Sequence, residues 1–258
     1  MVSFRQGETI IKILLIDIET SPNTVYAWGL WDQNIGLNQI IDTGSVLCFA
    51  AKWLGQDEII FKSVYCNGHR NMLRSVHALL SNADVVIHFN GTRFDIPILN
   101  KEFLLHGFLP PAPFKQVDLY KVARSRFRFA SNKLDFISQA LGFEGKVRHK
   151  GFELWVECMK GDPEAWKKME EYNIGDIIQL EKIYGKFLPW ISNHPSHGAF
   201  DGNSLVCTNC GSSNYNWRGW AVTKVMKYRR AQCKDCGYWL RSNKSDTPRG
   251  TEKLIGIS

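Results

Sequence analysis

Residues 13–20 read Ile13-Leu14-Leu15-Ile16-Asp17-Ile18-Glu19-Thr20, a short apolar run that closes on two carboxylates. Such a run reads as a buried β-strand. Strand side chains alternate between faces, so Asp17 and Glu19 share one face, about 6–7 Å apart at their Cα atoms, and Ile16 and Ile18 take the other. Two carboxylates on one face of a core strand repel each other unless positive charge lies between them. Two readings fit: a hard divalent cation held by both, or a solvated acidic strand end. Further carboxylates downstream decide between them.

The chain has 258 residues, 44% of them hydrophobic, and nine Trp. That is enough for one large domain with a small appendage, and too apolar for a disordered chain. No apolar run reaches 18 residues, and Met1–Ile11 lacks the pattern of a signal peptide. The expectation is a cytoplasmic protein with no membrane partner. Charge is uneven: residues 1–200 carry 22 Lys and Arg against 21 Asp and Glu, and residues 201–258 carry 10 against 4. Nearly all the basic excess lies in the last quarter, which favours a polyanion partner for it over a merely solvated basic surface. Cys48, Cys66 and Cys158 are scattered and read as ordinary thiols. Cys207, Cys210, Cys233 and Cys236 form two Cys-x-x-Cys pairs, which in a chain without a secretion signal read as a metal site.

Patterning places the rest. Val25–Leu30, Ser45–Leu54 and Glu58–Tyr65 read as strands that make the sheet antiparallel beside Ile13–Ile18. Asn71–Leu80 reads as a helix and Asp84–Phe89 as a buried strand. A helix is expected from about Phe94 to His106, with Leu99, Phe103 and Leu104 inward. Asp95 then sits in its first turn, at the carboxyl end of the preceding strand, where ligands gather in open α/β sheets; the other use of such an Asp is to complement the helix dipole. Phe114–Asp118 is a further strand, with helices at Leu119–Ser125 and Lys133–Leu141. Between those helices, Arg124, Arg126 and Arg128 interleave with aromatics, as a phosphate-and-base contact or as an amphipathic edge. The last helix, Pro163–Phe187, carries Met169, Tyr172, Leu180, Ile183 and Phe187 at helical spacing, with Tyr172 and Asp176 sharing a face.

Taken together, these carboxylates resemble the three motifs of the DnaQ-like, or DEDD, 3′–5′ exonucleases of the ribonuclease H-like fold. Asp17-x-Glu19 matches the first motif, Asn90-x3-Phe94-Asp95 the second, and Tyr172-x3-Asp176 the third in its tyrosine (DEDDy) form. The order and spacing agree over roughly residues 11–187. The resemblance implies an α/β, ribonuclease H-like mixed sheet flanked by helices. It also implies a hydrolase that cuts phosphodiester bonds with two Mg²⁺ or Mn²⁺. Asp17 would bridge the two ions, Glu19 and Asp176 would bind one, Asp95 would serve the other, and Tyr172 would orient the attacking water. Thr20, Asn90, Phe94 and the stretch around Arg126 are the candidates for holding the terminal nucleotide. Single-stranded DNA is the expected substrate. RNA cleavage or endonuclease action on the same fold, and a non-catalytic nucleic-acid-binding module, are the competing readings.

Residues 189–204 read as a linker between the 1–188 domain and a 205–258 module with a basic tail. In that module Cys207-Thr-Asn-Cys210-Gly211 and Cys233-Lys-Asp-Cys236-Gly237 resemble the knuckles of a zinc ribbon with one structural Zn²⁺. Between them Trp217, Arg218, Trp220, Lys227, Arg229 and Arg230 supply charge and stacking surface. Single-stranded nucleic-acid binding is the leading use of that surface, and docking to a protein is the runner-up.

Overall fold

Ile13–Ile16 are all buried, on both faces of the strand, as expected of an apolar run in the middle of a sheet covered on both sides. A computed structural model describes residues 11–145, 150–200, 202 and 205–247. The chain forms two compact units, Lys12–Ile183 and the part from Tyr184 onward.

In the first unit β1 (Ile13–Thr20) is the middle of a five-stranded sheet. On one side it pairs antiparallel with β4 (Val46–Trp53), which pairs antiparallel with β5 (Ile59–Ser63). On the other it runs parallel to β6 (Val85–His88), followed by parallel β7 (Lys115–Asp118). A short hairpin of β2 (Thr24–Val25) and β3 (Ile40–Asp42) stands apart from this sheet. The helices are α1 (Val64–Asn67), α2 (His69–Asn82), α3 (Asp95–Leu105), α4 (Leu119–Arg126), α5 (Leu134–Ala140), α6 (Phe152–Met159) and α7 (Pro163–Phe187). Leu14, Ile16 and Ile18 pack with Phe49, Met72, Val76, Leu99 and Phe103 in one core cluster. Leu47 and Cys48 pack with Leu154, Trp166 and Met169 in the other. The sheet therefore carries a helical layer on each face, the mixed α/β architecture expected.

Three local expectations differ. Val25–Leu30 is not a strand of the main sheet: only Thr24–Val25 pairs, and Trp28 is 98% exposed. Its apolar composition resembles a strand, but Pro22 and Asn23 turn the chain off the sheet before it can pair. Leu104 points outward, 78% exposed. The inner face of α3 follows Ile96, Leu99 and Phe103, and a residue one step past Phe103 is rotated away from it. Between Gly142 and Pro163, where the sequence suggested no element, α6 buries Leu154 and Cys158.

In the second unit α8 (His197–Phe200) precedes β8 (Tyr215–Val222), β9 (Lys227–Cys233) and β10 (Trp239–Ser245), an antiparallel sheet with β9 central. Within this unit Asn209 Nδ2 donates to the carbonyls of Leu188 and Ile191, both at 2.8 Å, so the stretch after α7 is bonded to the first knuckle. Residues 248–258, the end of the expected basic tail, lie outside the described residues.

Candidate active site and metal centres

The parallel pairing of β1 with β6 runs only from Ile13 to Leu15, so the ladder on that side ends before the carboxyl half of β1. Asp95, 4% exposed at the start of α3, uses that opening: its Oδ1 accepts from the Ile18 backbone N–H at 3.2 Å. Its carboxylate thus lies against the main chain between Asp17 and Glu19. Burial is the main cause that pushes the Asp95 carboxyl up to about 7; backbone N–H groups of Asp95 and Ile18 oppose the shift, and the charge of Asp118 adds to it.

On the β4 side, the pairing skips a residue between Glu19 and Thr20, a bulge of the kind that re-aims side chains beside sites. One ligand oxygen each from Asp17, Glu19 and Asp176 lies within 4.8 Å of the others. Asp176 reaches this point from α7, where Ile177, Leu180 and Ile183 anchor the helix in the core. The same face of α7 carries Asn173, wholly buried, whose Nδ2 donates to Asp17 Oδ2 at 2.7 Å. Asn173 Oδ1 accepts from the Cys48 thiol at 3.9 Å. Cys48 stands opposite Glu19 in the β1–β4 register, and its thiol is pushed well above its ordinary value, first by burial and then by the charges of Glu19 and Asp17. Burial and the two neighbouring carboxylates thus act together against a negative charge on that thiol.

Tyr172, one turn before Asp176, is half-buried with its ring edge-on to Trp155, at 5.9 Å between centroids. Thr20, Ser21, Pro22, Gly151, Phe152 and Trp155 line a cavity of about 350 Å³ directly beyond Glu19. Asn90 adopts φ +67 at the end of β6, and its N–H donates to Asp118 Oδ1 at 2.9 Å. Gly91 must be glycine here, because a Cβ would stand 2.5 Å from His88 Cγ. Phe94 is 43% exposed. Arg124, Arg126 and Arg128 are exposed. Arg124 lies over the Tyr120 ring, and Arg124 and Arg126 close the last turn of α4, where cations complement the helix dipole.

Two supports were missed in the sequence. Asn173 is one. Asp118 is the other: it caps α4 through the Tyr120 N–H and fixes the Asn90 turn that leads into α3. Its position at a strand end before a helix was the available signal. His88, wholly buried beside it, has its pKa lowered, chiefly by burial. It accepts from the Gly91 N–H at Nδ1. The neutral ring therefore carries its proton on Nε2, bonded to Gln116 Oε1 at 3.0 Å.

The four knuckle cysteines also converge, with one Sγ from each lying within 4.8 Å of the rest. Cys207 and Cys236 are 3.6 Å apart at sulfur, as are Cys210 and Cys233. The edge of a tetrahedron of thiolates bound at about 2.3 Å to zinc is about 3.8 Å, so the set fits. Gly211 and Gly237 take φ +72 and +82, and their N–H groups return to the carbonyls of Cys207 and Cys233. Sharing hydrogen bonds with Cys210 and Cys236 lowers the Cys207 pKa, and the same contacts with Cys207 raise those of its two neighbours. On the sheet, Arg229 lies over Trp217 at 4.4 Å and Lys227 over Trp220 at 4.2 Å. Arg230 and Arg218 lie over Trp239, and Arg241 over Tyr228. Residues 227 and 229 alternate with 228 and 230 along β9, so the cation–aromatic pairs occupy both faces of the ribbon rather than one.

The RNase H superfamily profile matches residues 14–188, and the chain belongs to that superfamily. Its fold and family are those of a nuclease. No curated protein matches the chain. Among solved structures it is similar to the family B DNA polymerase from the hyperthermophilic archaeon Pyrobaculum calidifontis. The TM-score is 0.54 over 84% of this chain at 16% identity, and the match spans 32% of the polymerase. That likeness concerns the fold. Among the described residues no helix is long and apolar enough to cross a membrane.

Proposed function

We propose that the chain is a metal-dependent 3′–5′ exonuclease of the DEDDy kind, hydrolysing single-stranded DNA. In this reading 1–188 is the nuclease domain, 189–204 the linker, and 205–258 a zinc ribbon that grips nucleic acid. The observation that carries it is the convergence of Asp17, Glu19 and Asp176, with Asp95 held on the main chain between the first two. This all-oxygen donor set suits Mg²⁺ or Mn²⁺, and Asp17, Glu19, Asp95 and Asp176 would hold two such ions. When bound, these supply a water nucleophile at neutral pH and neutralise charge on the leaving oxygen.

The chain's own groups do the rest. Asn173 fixes the rotamer of Asp17. Tyr172 positions the attacking water; with a pKa of about 10 in the free phenol it is a poor base at neutral pH. The cavity beyond Glu19 offers the Trp155 and Phe152 rings to a terminal base, and stacking there is sequence-tolerant. The half-exposed Trp217, Trp220 and Trp239, each flanked by a cation, give the ribbon stacking and charge together. One Zn²⁺ on the four cysteines would hold that sheet in shape.

The test is turnover of labelled DNA and RNA strands with Mg²⁺ or Mn²⁺ by the parent chain and by Asp17→Ala. The reading expects mononucleotide release from DNA that the variant loses. Equal cleavage by the variant overturns the site, and preference for RNA overturns the substrate.

A further inference from the structure

His69 opens α2 and His106 closes α3, and between their rings lies the Glu102 carboxylate, 3% exposed. Glu102 Oε2 is 3.0 Å from His69 Nε2 and 3.7 Å from His106 Nε2. The two rings are 4.6 Å apart at their centroids. Lys101 Nζ takes the other oxygen, Oε1, at 3.2 Å, and Arg70 is engaged with the His106 carbonyl. Oε2 is therefore left to the two imidazoles. A simple ion pair would aim the His69 N–H at that oxygen. It does not: His69 Nε2 is inaccessible to solvent and makes no hydrogen bond among the described residues, despite the 3.0 Å separation. Nitrogen and oxygen are close without being aligned as donor and acceptor.

Close atoms that do not bond each other are what one metal ion requires. Ligands about 2.1 Å from a common ion, subtending 90–110°, are about 3.0–3.4 Å apart; the 3.0 Å separation falls at the lower end of that range, and the 3.7 Å separation lies just beyond it, within reach of a side-chain adjustment. The three side chains can each offer one donor atom within 4.8 Å of the others. Two imidazoles with one carboxylate are a borderline set that selects Zn²⁺ and its neighbours over Mg²⁺. Both His side chains are about a third exposed, so water can complete the coordination.

We propose that His69, Glu102 and His106 form a second zinc-class site that clamps the start of α2 to the end of α3. It is separate from the cysteine site and independent of the nuclease reading. Such an ion would satisfy the stranded His69 nitrogen and cross-link two helices that pack on the same face of the sheet.

The experiment is equilibrium dialysis of the full chain against Zn²⁺ with excess Mg²⁺, followed by metal analysis, with Asp17→Asn in every sample to silence the carboxylate cluster. The expected content is about two Zn²⁺ per chain, falling to about one in His69→Ala/His106→Ala and in the milder Glu102→Gln. Equal content in parent and variants overturns the proposal. A second measurement needs no variant: crystals of the parent chain soaked in Zn²⁺ and measured at the zinc absorption edge. An anomalous peak between His69 and His106 supports the site, and a density map with zinc only elsewhere refutes it.

Discussion

Asn173→Ala isolates the support under the proposed catalytic carboxylates without removing any of them. Asn173 is wholly buried, and its amide donates to Asp17 Oδ2 at 2.7 Å, a charge-assisted bond of the kind worth about 1.5–3 kcal/mol. Losing it removes one restraint on the Asp17 rotamer beside Glu19 and Asp176. If all of that energy is expressed in holding the metal-binding rotamer, activity at limiting Mn²⁺ falls about 10–150-fold, in line with the 10–100-fold typical of residues that orient metal ligands. Excess metal recovers part of the loss, because the carboxylates themselves remain. The assay is initial rate on a labelled single strand against Mn²⁺ concentration, with a thermal melt to separate catalysis from folding. A variant that melts like the parent yet keeps its rate and metal dependence within twofold refutes the role given to Asn173, and with it the placement of Asp17 as the shared ligand.

Three further outcomes follow from other parts of the structure. Burial holds the Asp95 carboxyl at about 7 against an ordinary 3.8, so the folded chain binds that proton more tightly than the unfolded chain. Stability from this group is full below about pH 4 and declines as pH rises toward 7, by up to about 4 kcal/mol in metal-free protein. Asp95→Asn keeps an acceptor for the Ile18 N–H, so its melting temperature should exceed the parent's at pH 8 and converge with it near pH 4; parallel profiles would contradict the assignment. Gly91→Ala forces a Cβ to 2.5 Å from His88 Cγ, and overpacking at such a contact costs about 1–3 kcal/mol, to be read by chemical denaturation. Cys233→Ser should release metal from the ribbon, weaken binding to single strands and flatten its salt dependence while leaving Mn²⁺-dependent cleavage of very short oligonucleotides intact; unchanged affinity on long strands would remove nucleic acid as the ribbon's partner.

Much of the frame was legible because it is local. The apolar run through Ile16 reads as a buried strand, and alternation along a strand put Asp17 and Glu19 on one face. Helical spacing put Tyr172 and Asp176 on one face, but it was the resemblance of the three motifs that singled Asp176 out; Cys207 to Cys236 were visible through knuckle spacing. What escaped depends on tertiary context. Asn173 is polar on a buried stripe, and nothing in the helix itself says that Asp17 lies opposite it. Asp118 looked like a strand end until the Asn90 turn was seen to hang from it. Val25 to Leu30 has the composition of a strand, yet the ladder there stops at Thr24–Val25. The ribbon's cations and aromatics read as one surface, whereas strand alternation distributes them over two. His69 and Glu102 are 33 positions apart in numbering, and only the packing of α2 on α3 brings them together.

The central claim is that the carboxylate cluster at the end of β1 removes nucleotides from a 3′ terminus. The direct measurement is the product pattern from one single-stranded DNA labelled in turn at its 5′ and 3′ ends, digested with Mg²⁺ or Mn²⁺. The account predicts a progressive ladder from the 5′-labelled strand, immediate release of labelled mononucleotide from the 3′-labelled strand, and neither product from Asp176→Asn. Internal fragments at early times, or release that begins at the 5′ end, would contradict it.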